Sequence, residues 1–480
     1  MIAKPKGCND IFGQDAKIWK YVEEVVDSVM EKYNYGYIRT PIFESSELFH
    51  RGIGDSTDIV TKETYDFKDR GNRDMTLRPE GTAGVVRSFI ENKMYGNNLP
   101  VKLYYNGTMY RYERPQSGRD RELTQFGVEL MGTDDVLADA EVISLAFNIY
   151  KMLGLEVVVQ INSLGDKESR DNYRNALIEY FKPHIKDLCE DCNERLEKNP
   201  LRILDCKVDS ENEIIKNAPT TIEYLNDESK KRFEEVQELL DVLEVKYEVN
   251  PKIVRGLDYY NHTVFEFQLK NGSGASSIIG AGGRYNGLVK QLGGPDTACV
   301  GFASGIGRVV SALKEKELVD DYKIPVKDDI DCFIMYVNDE EKKYATYLSN
   351  ELRMAGFSTE TEYTGRSLKA QFKQADRFNS KYLLILNSDD LNDGMITIKN
   401  NVSKNEEKVM IEYLIYYLDE HLVDDFNNEE QCDCGCHDGK ECSCGDDCHC
   451  GDDCSCGSDC ECGCHDGKDC SCDECHHEHE

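Results

Sequence analysis

The chain lacks the long apolar segments that mark exported or membrane-embedded proteins. Its first residues, MIAKPKGCNDIFG, contain no apolar stretch of the kind found in a secretory signal. No uninterrupted apolar run approaches the roughly 20 residues that a helix needs to cross a bilayer. We therefore predict a cytoplasmic protein with no membrane partner.

The chain has no excess of positive charge, since Lys and Arg number 57 against 91 Asp and Glu, and this argues against most classes of nucleic-acid-binding protein. The formal net charge is −34, whereas a nucleic-acid binder usually carries a basic surface. Residues 427–480 contribute −15 of this charge and the preceding 426 residues contribute −19. Any contact with RNA must therefore come from a concentrated patch, and the best candidate is formed by Arg111, Arg114, Arg119 and Arg121.

Cysteine is rare before residue 427, where only six of the 21 cysteines lie. This distribution is typical of an intracellular protein whose main body does not depend on disulfides. Cys189, Cys192 and Cys206 have the spacing of a partial metal site, but the sequence shows no fourth ligand nearby. We therefore expect these three to be ordinary reduced thiols.

The last 54 residues have almost no apolar side chains and cannot fold around a hydrophobic core. CGCHDGKECSC at 434–444 recurs as CGCHDGKDCSC at 462–472, and thiols alternate with Gly, Asp and six histidines. The odd number of thiols and a reducing cytosol disfavour a disulfide framework. The composition resembles that of metallothionein-like proteins and predicts a tail, disordered without metal, that holds roughly three to four Zn²⁺ or another soft metal. The predicted ligands are Cys432, Cys434, Cys436, Cys442, Cys444, Cys448, Cys450, Cys454, Cys456, Cys460, Cys462, Cys464, Cys470, Cys472 and Cys475.

The length of 480 residues predicts two or three domains. Residues 101–114 and 123–132 alternate like two strands, whereas the segment from about 166 to 250 is charged and helical. After Pro325, strand and helix patterns alternate as in a compact sheet with covering helices. We therefore predict an α/β (α+β) protein with a sheet domain at 1–325, a helical insertion within it, a second α/β domain at 326–426 and the tail at 427–480.

Four segments describe a pocket for a polar, planar ligand beside a phosphate: Thr76–Thr82, Arg111–Arg121, Arg255–Tyr260 and Ala281–Tyr285. Together they resemble the histidyl-tRNA synthetase family of class II aminoacyl-tRNA synthetases, and the resemblance covers roughly residues 1–425. It implies an antiparallel-sheet catalytic domain, a C-terminal anticodon-binding domain and a homodimer. The helix at Ala16–Tyr33, followed by a predicted strand at Ile38–Glu44, is similar to the family's dimer-forming motif. The implied reaction joins L-histidine and ATP, with Mg²⁺, to give histidyl-adenylate and then charges tRNA(His).

The resemblance assigns the phosphate end of the pocket to arginines, whose planar guanidinium groups grip two oxygens at once. Arg111 matches the residue that holds the α-phosphate and the substrate carboxylate, and Arg308 matches one near the γ-phosphate. Arg119 and Arg121 match positions that contact the outer phosphates and the tRNA acceptor end. Arg255 matches an arginine that replaces a metal ion near the α-phosphate. The catalytic set is thus Arg111, Arg255 and Arg308, and the alternative is a group of surface arginines in salt bridges.

The amino-acid end needs acceptors for an ammonium group and partners for both nitrogens of a neutral imidazole. Glu80 and Thr82 match the family's amino-group ligands, with Gln125 beside them. Glu129 can accept a hydrogen bond from the imidazole, and Tyr260 can donate one. The implied histidine-binding set is Glu80, Gly81, Thr82, Arg111, Gln125, Glu129, Arg255, Tyr259 and Tyr260. For the tyrosine pair alone, ordinary strand aromatics are the alternative.

Two other interpretations remain open. A synthetase-like regulatory subunit of ATP phosphoribosyltransferase resembles the catalytic domain but lacks an anticodon-binding domain and does not charge tRNA. The β/α pattern at 330–420 and the intact arginine motifs favour the enzyme. A metal buffer would explain the tail but not the pocket.

Overall fold

The computed structural model describes residues 2–53, 59–96, 98–114, 120–204, 206, 208–209, 212–253, 257–270, 277–315 and 329–427. The chain divides into a first unit, Met1–Val326, and a second unit, Lys327–Glu480. The helices of the first unit are α1 Gln14–Lys32, α2 Ser46–Ile53, α3 Thr82–Glu91, α4 Leu137–Met152, α5 Lys167–Phe181, α6 Glu190–Lys198, α7 Glu213–Lys216, α8 Asp227–Val242, α9 Leu288–Gln291 and α10 Ile306–Glu315. Its strands are β1 Gly36–Tyr37, β2 Phe43–Ser45, β3 Tyr65–Lys68, β4 Asp74–Leu77, β5 Val101–Tyr110, β6 Glu122–Met131, β7 Val157–Ser163, β8 Tyr247–Val249, β9 Asn261–Leu269, β10 Ile278–Arg284 and β11 Cys299–Gly305.

An eight-stranded sheet with the order β1-β5-β6-β11-β10-β9-β7-β8 forms the centre of the first unit. Its six central strands pair antiparallel, and only the edge strands β1 and β8 pair parallel with their neighbours. The predicted strands at 101–114 and 123–132 correspond to β5 and β6. The main hydrophobic core contains buried residues of this sheet and of α1, α4, α8 and α10. This mixed architecture confirms the predicted fold class.

The first helix follows its apolar spacing. Ile18, Val22, Val26 and Val29 recur every three or four residues and are all buried in the main core. The helix α1 ends at Lys32, close to the end of the predicted helix at 16–33, and confirms that prediction.

The predicted strand at Ile38–Glu44 is wrong. β1 ends at Tyr37 and belongs to the eight-stranded sheet, whereas β2 begins at Phe43 and belongs to a separate three-stranded sheet of order β2-β4-β3. Pro41 has no N–H to donate to a ladder. Thr40 instead accepts hydrogen bonds from the buried Arg78 guanidinium at its carbonyl (3.0 Å) and at its hydroxyl (3.1 Å).

The helical segment predicted at 166–250 divides into two parts. α5, α6 and the turns around them surround a small core of their own, whose buried members are Tyr173, Leu177, Phe181, Leu188, Cys192, Ile203, Cys206, Ile215 and Ala218. By contrast, α8 buries Phe233, Val236 and Leu240 in the main core, and β8 pairs with β7 of the large sheet. We call the part at 167–224 the insertion.

The second unit is a five-stranded sheet of order β13-β12-β14-β15-β16. Its strands are β12 Cys332–Met335, β13 Thr359–Thr361, β14 Tyr382–Ile385, β15 Met395–Asn400 and β16 Glu406–Met410, and its helices are α11 Asp339–Met354, α12 Leu368–Arg377, α13 Ser388–Asn392 and α14 Leu414–Asn427. β12 to β14 pair parallel, whereas β15 and β16 complete the sheet antiparallel. The predicted β/α alternation is confirmed; β16, α13 and α14 were not predicted. Within the described residues of the whole chain, no helix combines the length and apolar character that a membrane span requires.

Candidate active site

A cavity of about 880 Å³ opens beside the large sheet of the first unit. Its size lies in the range of small-molecule sites. Six of the residues predicted from the sequence line it: Glu80, Thr82, Arg111, Gln125, Tyr260 and Arg308. Residues separated by up to 228 positions thus line the same cavity, to which they contribute carboxylate, amide and guanidinium groups.

Strand β6 carries both Gln125 and Glu129 on one face, because side chains four residues apart in a strand point the same way. Gly127 lies between them, and a Cβ at this position would lie 2.6 Å from the Tyr105 hydroxyl. The missing side chain leaves room for the Tyr105 ring, which lines the cavity and was not predicted as a site residue. Gln125 contributes a buried side-chain oxygen, Oε1, for which the described residues offer no hydrogen-bond donor.

Glu80 precedes α3, and its carboxylate accepts hydrogen bonds from the first backbone N–H groups of that helix. The distances are 2.6 Å to Thr82 N and 2.8 Å to Ala83 N. Burial nevertheless raises the pKa of Glu80, because loss of hydration outweighs these hydrogen bonds and the charge of Arg111. A cationic ligand group would therefore find an acceptor that is held in place and poorly solvated. Gly81, the N-cap of α3, lies against the Tyr105 ring, where a Cβ would collide with it.

Glu129 is almost fully buried, at 1% exposure, and does not itself line the cavity. The Thr82 hydroxyl donates to its Oε1 at 2.7 Å, and the Tyr285 hydroxyl donates to its Oε2. Burial raises the pKa of Glu129 to about 8, although both hydrogen bonds oppose this shift. Gly301 pairs with Glu129 on the adjacent strand, where any side chain would collide with the carboxylate.

Three tyrosines pack against one another, and one of them, Tyr285, contacts this carboxylate. The rings of Tyr259 and Tyr260 lie 4.6 Å apart, and that of Tyr285 lies 5.6 Å from Tyr259. Only Tyr260 lines the cavity, and Tyr259 packs behind it. The sequence predicts no separate role for Tyr285, the last residue of the Ala281–Tyr285 motif. Its hydrogen bond to Glu129 is visible only in the structure.

The arginines near the cavity are held by backbone carbonyls. Arg111 Nε donates to Pro79 O at 2.8 Å, and Arg308 Nη1 donates to Ile278 O at 2.6 Å. Each guanidinium therefore has a fixed anchor while it lines the cavity.

The other predicted arginines differ in position. Arg121 does not line the cavity; its guanidinium lies 3.9 Å from the ring centre of Tyr112, and its Nε donates to Glu113 O. Arg119 and Arg255 lie outside the described residues, as do the fifteen tail cysteines.

Two charged residues within the pocket motifs have structural partners instead. Arg284 is fully buried, pairs with the buried Asp139, and donates to the carbonyls of Thr133 and Asp135 at 3.0 Å each. Asp258 accepts from Arg202 at 2.9 Å, which ties the Arg255–Tyr260 motif to the insertion.

The expectation that no fourth ligand lies near the insertion cysteines is wrong. Single ligand atoms of Cys189, Cys192, Cys206 and Asp209 all lie within 4.8 Å of one another. Asp209 follows Cys206 by only three residues, but the sequence does not show that its carboxylate also approaches Cys189, to which it is hydrogen-bonded across 20 residues.

The chain matches two family models: histidyl-tRNA synthetase over residues 7–309 and anticodon-binding domain over residues 331–421. The histidine–tRNA ligase of Bacillus cytotoxicus is 49% identical over 422 residues, which cover 87% of this chain and 99% of that protein. That of Anoxybacillus flavithermus is 49% identical over 417 residues, covering 86% and 98%.

Solved structures agree with these matches. Apo histidyl-tRNA synthetase of S. aureus superimposes with a TM-score of 0.74 at 40% identity, over 87% of this chain and 100% of that one. A Bacillus halodurans structure described as an ATP phosphoribosyltransferase regulatory subunit/histidyl-tRNA synthetase has a TM-score of 0.58 at 21% identity, over 80% and 98%. At that identity the second similarity concerns the fold alone.

Proposed function

The chain belongs to the histidyl-tRNA synthetase family, and from this premise we propose that the cavity of the first unit is where histidine and ATP react. Its function is that of a histidine–tRNA ligase, which forms histidyl-adenylate from histidine and ATP and transfers histidine to tRNA(His), releasing AMP and pyrophosphate. Mg²⁺ enters as part of the ATP substrate. The observation that carries the placement is that the acceptors of Glu80 and Gln125 line the same cavity as Arg111 and Arg308, which are anchored by backbone carbonyls.

The ammonium group of histidine fits between Glu80, Thr82 and Gln125. The buried Gln125 oxygen has no partner among the described residues, and leaving such a group unpaired costs about 1–3 kcal/mol. An ammonium group would supply the missing donor and would also stabilise the ionised form of Glu80. Histidine binding would thus pair the Gln125 oxygen and favour the ionised form of Glu80.

The imidazole fits between Glu129 and Tyr260. Each carboxylate oxygen accepts one bond, from Thr82 and from Tyr285, and can accept one more. One of these free sites would accept the imidazole N–H, while the Tyr260 hydroxyl would donate to the other ring nitrogen. Tyr285 is a positioning residue, because its hydroxyl holds Glu129. Substrates without these two groups would leave buried partners unpaired, which gives strong discrimination.

The phosphate end is formed by Arg111 and Arg308, completed by Arg255 near the α-phosphate. An oxygen of the histidine carboxylate attacks the α-phosphorus and forms a new P–O bond. The bond between the α-phosphorus and pyrophosphate breaks, and pyrophosphate leaves with that electron pair. Negative charge grows on the phosphoryl oxygens, and pre-positioned guanidinium groups stabilise it without reorganising. Since Arg121 stacks on Tyr112 outside the cavity, we assign Arg119 and Arg121 to the outer phosphates or the tRNA acceptor end only once substrate is bound.

The second unit belongs to the anticodon-binding domain family, and we propose that it contributes to recognition of tRNA(His). We further propose a cytoplasmic homodimer, and a tail whose fifteen cysteines bind Zn²⁺ or another soft metal. The domain at 331–421 separates this protein from a regulatory subunit that lacks it.

Histidine-dependent ATP–pyrophosphate exchange with a Gln125→Met variant tests the placement. Met keeps the size of the side chain but removes the acceptor. A hydrogen bond to a charged group is worth about 1.5–3 kcal/mol, so kcat/KM for histidine should fall about 10- to 150-fold while KM for ATP changes little. Gln237→Met on α8 makes the same chemical change away from the cavity and serves as the control. Equal kcat/KM in wild type and Gln125→Met would overturn the placement of the ammonium group.

A further inference from the structure

The insertion contains a group of metal-ligand side chains that the synthetase reaction does not use. Cys189 is the N-cap of α6, and Cys192 lies in the first turn of that helix. Cys206 and Asp209 come from the segment after the short 3₁₀ helix Pro200–Ile203. Cys192 and Cys206 are buried, whereas Cys189 and Asp209 are partly exposed. We call these four residues the Cys₃Asp cluster.

The spacing of the cluster fits a tetrahedral ion. Ligands about 2.3 Å from a central Zn²⁺ lie about 3.8 Å from one another. The Sγ atoms of Cys189 and Cys206 are 3.6 Å apart, and a carboxylate oxygen of Asp209 is 3.6 Å from the Cys206 sulfur. All four ligand atoms lie within 4.8 Å of one another. A disulfide requires about 2.05 Å between sulfurs, so the two thiols are separate.

We propose that Cys189, Cys192, Cys206 and Asp209 form a structural Zn²⁺ site that closes the insertion. Three thiolates and one carboxylate are ligands that Zn²⁺ accepts, and the Cys-x₂-Cys spacing at a helix start is typical of such sites. The ligands come from two parts of the insertion, the start of α6 and the pair Cys206 and Asp209, which a bound ion would join. The site is a second metal position, separate from the cysteine-rich tail.

The surroundings explain what an ion would contribute. A divalent cation would bind the deprotonated thiols and release their protons. Among its described residues, the insertion's own core contains nine buried ones, and small cores of this kind are commonly supported by a metal or a disulfide.

The site also lies close in sequence to contacts with the active-site motif. Asn199 and Arg202, at the end of α6 and in the following turn, both donate to Asp258, at 3.2 and 2.9 Å. Leu204, two residues before Cys206, lines the cavity. An ion that fixes the ends of this short segment would therefore hold the partners of Asp258 in place.

Metal analysis of the full chain, purified reduced, tests the proposal. The tail is present in every protein compared, so any metal that it binds does not contribute to the difference in zinc content between wild type and variant. Wild type should contain about one more zinc per chain than Cys192→Ser, Cys206→Ser or Asp209→Ala, whereas the control Cys8→Ser should match wild type. Asp209 is partly exposed, which makes Asp209→Ala the variant least prone to misfold. If all three cluster variants retained the zinc content of wild type, the proposal would be wrong.

A second measurement does not depend on metal counting. Because an ion that binds only the folded state stabilises it, a chelator should lower the Tm of wild type and of Cys8→Ser. It should change the Tm of Asp209→Ala much less. Replacement of zinc by Co²⁺ in wild type should add thiolate charge-transfer absorption beyond that of Asp209→Ala. Equal chelator-induced shifts in wild type and Asp209→Ala would overturn the site.

Discussion

Replacing Glu129 by Gln removes one charge from the centre of the proposed imidazole site while keeping the side chain's shape. Thr82 and Tyr285 both donate to this carboxylate, and the amide oxygen of Gln can still accept from one of them. The change therefore preserves most of the packing. What it removes is an ionised acceptor for the imidazole N–H.

The expected loss follows from that hydrogen bond. Above about pH 8, where Glu129 is ionised, a bond to the charged acceptor is worth about 1.5–3 kcal/mol, which corresponds to about 10- to 150-fold in kcat/KM for histidine. KM for ATP should change little, because the arginines of the phosphate end are untouched. Gly301→Ala would push a methyl group into the same carboxylate, so it should also lower kcat/KM for histidine.

Glu129 also predicts a pH dependence with a definite sign. Burial raises its pKa to about 8 in the folded protein, against about 4.3 in an unfolded chain. Between these values the folded state binds more protons, so this group makes stability fall as pH rises through the window. For histidine binding the direction is opposite, because the ionised acceptor becomes available only as pH rises through about 8.

Histidine-dependent pyrophosphate exchange from pH 6 to 9 measures both effects. Wild-type kcat/KM should rise through about pH 8, and Glu129→Gln should lack that step while retaining the titration of histidine itself. Urea unfolding should show that the free energy of unfolding of wild type falls relative to that of Glu129→Gln as pH rises. If kcat/KM of Glu129→Gln stayed within threefold of the wild-type value at every pH, with the same pH profile, the role of Glu129 would be refuted.

Three further predictions concern other parts of the chain. Arg284→Met should lower the free energy of unfolding by about 3–5 kcal/mol, because it removes the closest partner of the buried Asp139 and leaves only the longer ion pair with Arg232 at 3.8 Å among the described residues; urea unfolding measures this, and an unchanged midpoint would contradict it. A chain ending at Val326 should retain some histidine activation but lose most tRNA charging, and normal charging by the folded fragment would reject a tRNA role for the second unit. A chain ending at Asn427 should keep its activation rate and lose all but about one zinc; elemental analysis showing equal metal content in both chains would exclude the tail as a metal site.

Much of the fold could be predicted because local pattern and tertiary environment agree. The apolar spacing of α1 and the alternation along β5 and β6 match the faces that the structure buries. The predicted strand at Ile38–Glu44 is wrong over residues 38–42, which contain Pro41 and connect β1 of the large sheet to β2 of the three-stranded sheet; only Phe43 and Glu44 belong to a strand. The apolar pattern alone does not reveal this change of sheet. Strand β16 was missed because its sequence, EEKVM, is charged and lies at a sheet edge.

The site divides in the same way. Six residues in recognisable motifs line the cavity, since each motif supplies its own local turn or strand. Tyr285 was missed because its partner is distant: its bond to Glu129 spans 156 residues. Asp209 was missed although it follows Cys206 by only three residues, because the sequence does not show that its carboxylate approaches Cys189 across 20 residues. Arg284 lies within a pocket motif but is used structurally, because its guanidinium is enclosed by Asp139 and two carbonyls. Such contacts depend on topology and are not encoded in spacing.

The central claim, that histidyl-adenylate forms in the cavity lined by Glu80 and Arg308, is tested most directly by the binding of a stable sulfamoyl analogue of that intermediate. Titration calorimetry should show tight binding to the wild-type protein, at least tenfold weaker binding to Glu80→Gln, and at least tenfold weaker binding to Arg308→Ala. The same affinity in all three proteins would contradict the account.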